Sequence, residues 1–124
     1  MDRTFRVLVV DDSKVMRGII RKMLAAFPGV SVVEARDGKE AWEVLQAEAV
    51  DAVLSDWNMP RMKGIDLLRL VRDTQRLKDL PFIMVTAEAR AVSHCEADAA
   101  LVSSYLTKPF TPERLRAALA PYLP

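Results

Sequence analysis

Five short apolar runs punctuate the chain: Phe5 to Val10, Val30 to Ala35, Ala52 to Ser55, Phe82 to Val85 and Tyr105-Leu106. Between them, apolar residues recur at helical rather than alternating spacing. Strand and helix therefore alternate about five times, in units of roughly 20 to 25 residues, which is the size of a βα crossover. A strand that must be followed by a crossover helix before the next strand pairs in parallel, and a parallel sheet needs helices over both faces. The expected fold is α/β.

The local signals agree. From Ser13, the residues Val15, Met16, Ile19, Ile20, Met23, Leu24 and Phe27 repeat at three and four spacing until Pro28-Gly29 stops them. Asp37-Gly38 reads as a turn, and Glu40 to Ala47 as a second helix with Ala41, Val44 and Leu45 inward. A third helix follows Gly64, burying Leu67, Leu68 and Val71, and a fourth is placed on Glu88 to Ala100, where large apolar residues are few. Thr111-Pro112 opens the last: threonine as N-cap, proline at the first helical position, with Leu115, Ala118 and Leu119 inward.

At 124 residues the chain is expected to be one domain spanning 1–124, with no second domain to carry an output. No apolar run approaches the roughly 18 residues of a membrane span, and no signal peptide opens the sequence, so the expected location is the cytoplasm. A formal charge of +1 lacks the broad basic footprint of a nucleic-acid binder. One cysteine, Cys95, excludes an internal disulfide and a multi-cysteine metal site, and His94-Cys95 has no spaced partner ligands. Lys14, Arg17 and Arg21 form a basic stripe on the first helix, either a solvated face or a means of steering a partner.

In an open parallel sheet, ligands bind outside the carboxyl ends of the strands. The residues that close the strands here are Asp11-Asp12, Asp56, Thr86 and Lys108. Taken singly, each has an ordinary use: Asp12 or Ser13 can cap the first helix, Asp56-Trp57-Asn58-Met59-Pro60 has turn chemistry, and Thr86 can cap a helix. Taken together at one crevice, they favour a single site. If the first and third strands are neighbours, each pair of carboxylates costs about 4 kcal/mol at about 4 Å and an effective dielectric of about 20. One lysine offsets part of that charge; a hard divalent cation with oxygen ligands, such as Mg2+, offsets more. Carboxylates, Mg2+, a lysine and a hydroxyl suit phosphoryl transfer, with Asp56 as nucleophile and Lys108 and Thr86 as partners of the phosphoryl oxygens.

The stretches VLVVDDS, EARDGKEAW, SDWNMPRMKG, MVTAEA and SYLTKPFT, at their spacing, resemble the receiver domain of two-component response regulators, and within that family the single-domain chemotaxis regulators. The resemblance covers essentially the whole chain. It implies a doubly wound, flavodoxin-like (βα)5 sheet of strand order 2-1-3-4-5. It implies that Asp56 is the phosphoacceptor; that Asp11, Asp12, Asp56 and the backbone carbonyl of Asn58 hold Mg2+; and that Lys108 and Thr86 meet the phosphoryl group. It also implies a cis bond at Lys108-Pro109. Thr86 and Tyr105 would form the switch, remodelling the face of helix 4, strand 5 and helix 5 for a downstream protein partner such as the flagellar motor switch. A histidine kinase or a histidine phosphotransfer protein would supply the phosphoryl group to what is otherwise a monomer, a signalling protein rather than an enzyme.

The output face departs from the family's pattern. Leu101-Val102 stands where a small Gly-Ala pair is usual, and Ser104 replaces the common glycine before Tyr105. Residues 88 to 104 are therefore expected to be the least regular part of the chain. Two other functions use much of the same chemistry. A phosphorelay intermediate would pass its phosphoryl group on to another histidine. An aspartate-nucleophile phosphohydrolase would need a second acid two residues after the nucleophile, where this chain has Asn58. A nucleotide-binding domain lacks its glycine-rich loop, since VVDDSKVMRG follows the first strand.

Overall fold

A computed structural model describes residues 4–57, 59, 61–87 and 101–123. Its elements are β1 (Phe5–Val10), α1 (Lys14–Ala25), β2 (Val30–Ala35), α2 (Gly38–Ala47), β3 (Ala52–Asp56), α3 (Gly64–Asp73), β4 (Phe82–Thr86), β5 (Ser104–Thr107) and α4 (Pro112–Leu119), closed by a 3-10 turn at Ala120–Tyr122. The helix expected on Glu88 to Ala100 lies outside the described residues, as do His94 and Cys95, so α4 is the fifth helix of the sequence reading.

The five strands form one parallel sheet of order β2-β1-β3-β4-β5. Because side chains alternate across a strand, each central strand feeds two cores. Leu8, Val10, Val53, Phe82 and Met84 point to one face, where Leu45 of α2 and Leu67, Leu68 and Val71 of α3 cover them. Val7, Val9, Leu54, Ile83 and Val85 point to the other, beneath Ile20 and Leu24 of α1 and Leu115 and Leu119 of α4. Burial on both faces explains why β1, β3 and β4 read as apolar runs without alternation. The helical row of α1 is narrower than its sequence suggests: Val15 is 74% exposed and Ile19 is also exposed, while Met16, Ile20, Met23, Leu24 and Phe27 face the core.

The starts of α1, α2 and α4 are fixed by side chains that accept the orphan N–H groups of the first turn, while α3 follows Lys63 without such a cap. Ser13 Oγ accepts from Met16 N at 3.1 Å, and Thr111 Oγ1 accepts from Arg114 N at 3.2 Å, with Pro112 opening α4. Asp37 is more than part of a turn: its Oδ1 accepts from Glu40 N at 2.8 Å and caps α2.

Parallel pairing in this register brings the carboxyl ends of the strands to one edge. Asp56 closes β3 beside Val85, Thr86 closes β4 beside Thr107, and Asp11 directly follows β1, its N–H donating to Ala35 O at 3.1 Å. Lys108 leaves β5 with its N–H donating to Thr86 O at 2.7 Å, and its bond to Pro109 is cis, as expected.

The loop after β3 returns sharply, Gly64 N donating to Trp57 O at 3.1 Å. A Cβ on Gly64 would collide with the backbone carbonyl oxygen of Asp56. Backbone on one side leaves nothing flexible to yield, so the start of α3 can sit against Asp56 only without a side chain. Gly64→Ala is expected to destabilise the protein by about 3 kcal/mol through overpacking, read as a fall in the urea midpoint. A midpoint within error of wild type would show that the approach of α3 to Asp56 is not tight.

Candidate functional site

At that edge the carboxylates of Asp11, Asp12 and Asp56 each offer an oxygen within 4.8 Å of the others, a grouping able to hold a metal ion. Asp11 is 2% exposed, and Asp12 lies at the surface. Lys108 Nζ reaches Asp11 Oδ2 at 3.3 Å and Asp56 Oδ1 at 3.5 Å, so one ammonium serves two carboxylates of a cluster of three. Asp11 is further oriented by its other oxygen, Oδ1, which accepts from Ser13 N at 2.8 Å. Arg17 donates to the Asp11 backbone carbonyl at 2.6 Å. Thr86 is buried at the end of β4, one register step beyond the strand partner of Asp56. Asn58, expected to add a backbone ligand, lies outside the described residues.

The Asp56 carboxyl is pushed above its ordinary range, first by burial. The positive charge of Lys108 opposes this, and the negative charge of Asp11 adds to it. A cation among these carboxylates reverses the balance by stabilising all three anions. Hard oxygen ligands clustered at one point fit Mg2+ better than any softer ion.

The site sits in a known setting. The family model for the response regulator receiver domain matches residues 7–120. The chain belongs to the response regulator receiver family. This receiver is 46% identical to the chemotaxis protein CheY1 of Helicobacter pylori over 115 residues, 92% of this chain and 93% of that one. It is 46% identical to the chemotaxis protein CheY of Pseudomonas aeruginosa, with 90% of each chain covered. Among solved structures, the chemotaxis response regulator CheY4 of Vibrio cholerae superposes with a TM-score of 0.86 at 35% identity, over 97% of this chain and 99% of that one. The response regulator TrrA of Thermotoga maritima, solved in complex with Mg2+ and beryllofluoride, gives 0.86 at 26% identity, over 97% of this chain and 100% of that one. The receiver family binds Mg2+ at an acidic pocket, and here the acidic cluster is that of Asp11, Asp12 and Asp56. Among the described residues no helix is long and apolar enough to cross a membrane.

The receiver structure also uses residues to which the sequence assigned no role in the site. Asp37 is buried; while Oδ1 caps α2, its Oδ2 lies 3.6 Å from Arg61 Nε. Arg61 has φ of 66°, a left-handed conformation that a side chain adopts at some cost. A Cβ on Gly38 would lie 2.6 Å from the Met62 carbonyl oxygen. The loop that follows Asp56 is thus braced against the start of α2. The signal was present as Asp37 and Glu40 at capping-box spacing, although Glu40 Oε1 accepts from Arg36 N at 3.2 Å, one residue before the cap, and not from Asp37 N. The basic stripe on α1 is likewise engaged in part: Arg17 and Arg21 hold opposite oxygens of Glu34, at 2.9 and 2.8 Å. Burial pushes the Glu34 carboxyl up, but Arg21 and Arg17 together hold it below its ordinary value. Tyr105, the expected reporter, lies away from the carboxylates on β5, its side chain outward and 50% exposed.

The raised Asp56 carboxyl has a testable sign. The folded chain binds that proton more tightly than the unfolded chain, so stability is lost as pH rises from the ordinary carboxyl range through the folded value. Without metal at pH 7, Asp56→Asn should therefore melt above wild type, and the gap should close as pH falls towards about 4. Thermal melts in chelator across that range check this; a variant less stable than wild type at pH 7 would contradict it.

Proposed function

We propose that this receiver is a stand-alone response regulator of a two-component system, phosphorylated on Asp56 by a histidine kinase and acting in the cytoplasm on a protein partner. The observation that carries the proposal is the Asp56 carboxylate at the end of β3, half-buried, with Lys108 Nζ at 3.5 Å and two further carboxylates alongside. In this reading an Asp56 oxygen attacks the phosphorus of a phosphohistidine; a P–O bond forms, the P–N bond breaks, and the leaving imidazole nitrogen takes a proton from water. Lys108 moves from pairing with Asp56 to pairing with a phosphoryl oxygen, and the Thr86 hydroxyl donates to another. Asp11, Asp12 and Asp56 would hold Mg2+, with the Asn58 backbone carbonyl as the further ligand the resemblance implies, and the ion would supply Lewis-acid neutralisation of the phosphoryl charge.

The output follows from the new dianion. Drawing Thr86 and Lys108 inward loads the ends of β4 and β5, the strands that frame the expected output face, and favours a second arrangement of that surface. The exposure of Tyr105 supports its role as reporter there. Relatives named as chemotaxis proteins support the flagellar motor switch as the partner, ahead of a phosphorelay in which the phosphoryl group moves on to another histidine.

Incubation with acetyl phosphate and Mg2+ should add one phosphoryl group to wild type, seen by intact-protein mass spectrometry. Asp56→Asn should lower the labelling rate about a hundred-fold, since of the other two carboxylates Asp11 is buried and held by Lys108 and the Ser13 N–H, and Asp12 lies at the surface. Full-rate labelling of the variant would place the acceptor elsewhere.

A further inference from the structure

Outside the acidic cluster, several segments are tied together by Arg72, in the last turn of α3. Its Nε donates to Leu101 O at 2.8 Å, Nη1 to Lys78 O at 2.9 Å and to Leu80 O at 2.7 Å, and Nη2 to Ser103 Oγ at 3.3 Å. Ser103 is held from its other side as well: its Oγ accepts from Phe82 N at 3.0 Å and its N–H donates to Phe82 O at 2.9 Å. One guanidinium thus joins α3, the loop before β4 and the approach to β5. Its planar fork can meet several acceptors at once, which a lysine ammonium on a flexible stem does less well. Burial pulls the Arg72 guanidinium below its ordinary value, while Asp79 and Tyr122 oppose that fall.

The clamp sits where register is otherwise weakly set. β5 has four residues and pairs only with β4 at the sheet edge. From Val102 to Leu106 the residues alternate between inward and outward, with Ser103 and Tyr105 out and Leu106 buried. A slip of one residue would exchange those faces and turn Tyr105 inward with its whole strand. Leu101 and Val102, large where the resemblance leads one to expect a small pair, pack against the α2 and α3 core instead of loosening the segment.

We infer that Arg72 is a positioning residue that fixes the root and register of β5, making residues 101–106 a rigid platform on which Tyr105 reports phosphorylation by side-chain movement alone. The inference rests on the proposed switch for its output and on the clamp geometry for the platform. Of residues 88 to 104, expected to be the least regular part of the chain, 88–100 lie outside the described residues, and 101–103 precede β5 without helix or strand, held by the clamp instead.

Hydrogen exchange on wild type, Arg72→Met and Arg72→Lys, each with and without Mg2+ and beryllofluoride, tests it, alongside acetyl phosphate labelling of each protein. In wild type, residues 101–106 should exchange slowly and change less than about two-fold on adding the phosphoryl mimic. In both variants, exchange there should rise at least about ten-fold in the free state, with β1 and β3 unchanged and labelling at Asp56 retained. Arg72→Lys folds most conservatively, so it decides the matter if Arg72→Met does not fold. Exchange that rises equally in β1 and β3 would reduce Arg72 to a general stabiliser, and a large response of 101–106 to the mimic in wild type would remove the rigid platform; either overturns the inference. Wild type that takes no label at Asp56 would instead count against the proposed function, and the free-state comparison would still decide the role of the clamp.

Discussion

Everything at the functional edge depends on three carboxylates held closer together than they would stand in water. At about 4 Å and an effective dielectric of about 20, each like-charged pair costs about 4 kcal/mol. Lys108, 3.3 Å from Asp11 and 3.5 Å from Asp56, returns only part of that. The remainder is a standing demand for positive charge; the Asp56 carboxyl, raised first by its burial and further by Asp11 against the pull of Lys108, would be relieved by the same charge. A site of this kind is poised: a divalent cation relieves it, and a phosphoryl group then redistributes Lys108.

Such repulsion persists only if the scaffold cannot relax. β1, β3 and β4 are buried on both faces, so the residues that close them cannot drift without disturbing two cores. Gly64 lets the backbone of α3 press against the Asp56 carbonyl, and the Asp37 to Arg61 pair with the Gly38 to Met62 approach braces the loop from the other side. The preorganised edge and the rigid sheet are one design. Arg72 extends the same logic to β5, the edge strand with least help from its neighbours.

What could be read from the sequence follows from where information is local. The strands and the residues closing them were legible because a doubly buried strand is a continuous apolar run and the polar residue ending it stands out: Asp11, Asp56, Thr86 and Lys108 are such residues. Strand order was not local information and came through the family resemblance. The cap that Asp37 places on α2 was local, with Glu40 three residues on, and could have been read; its pairing with Arg61, the Gly38 approach to Met62, and the bonds of Arg72 to Leu101 and Ser103 join residues distant in the chain and could not. Val15 and Ile19 matched the helical period of α1 yet face solvent, since three and four spacing admits more positions than one sheet face can cover.

The central claim is that the carboxylate cluster is a cation site coupled to the phosphoacceptor. Trp57 follows Asp56 directly, its backbone N–H donates to Val85 O at 2.9 Å, and its partly buried side chain packs against the core beside that strand end, where its fluorescence can sense charge. The most direct measurement is a Mg2+ titration of tryptophan fluorescence in a Trp42→Phe background, where Trp57 is the only indole. The account predicts a saturable change that is lost when Asp12→Ala and Asp56→Asn are combined. A flat titration in the Trp42→Phe protein, or an identical curve in the carboxylate variant, would contradict it.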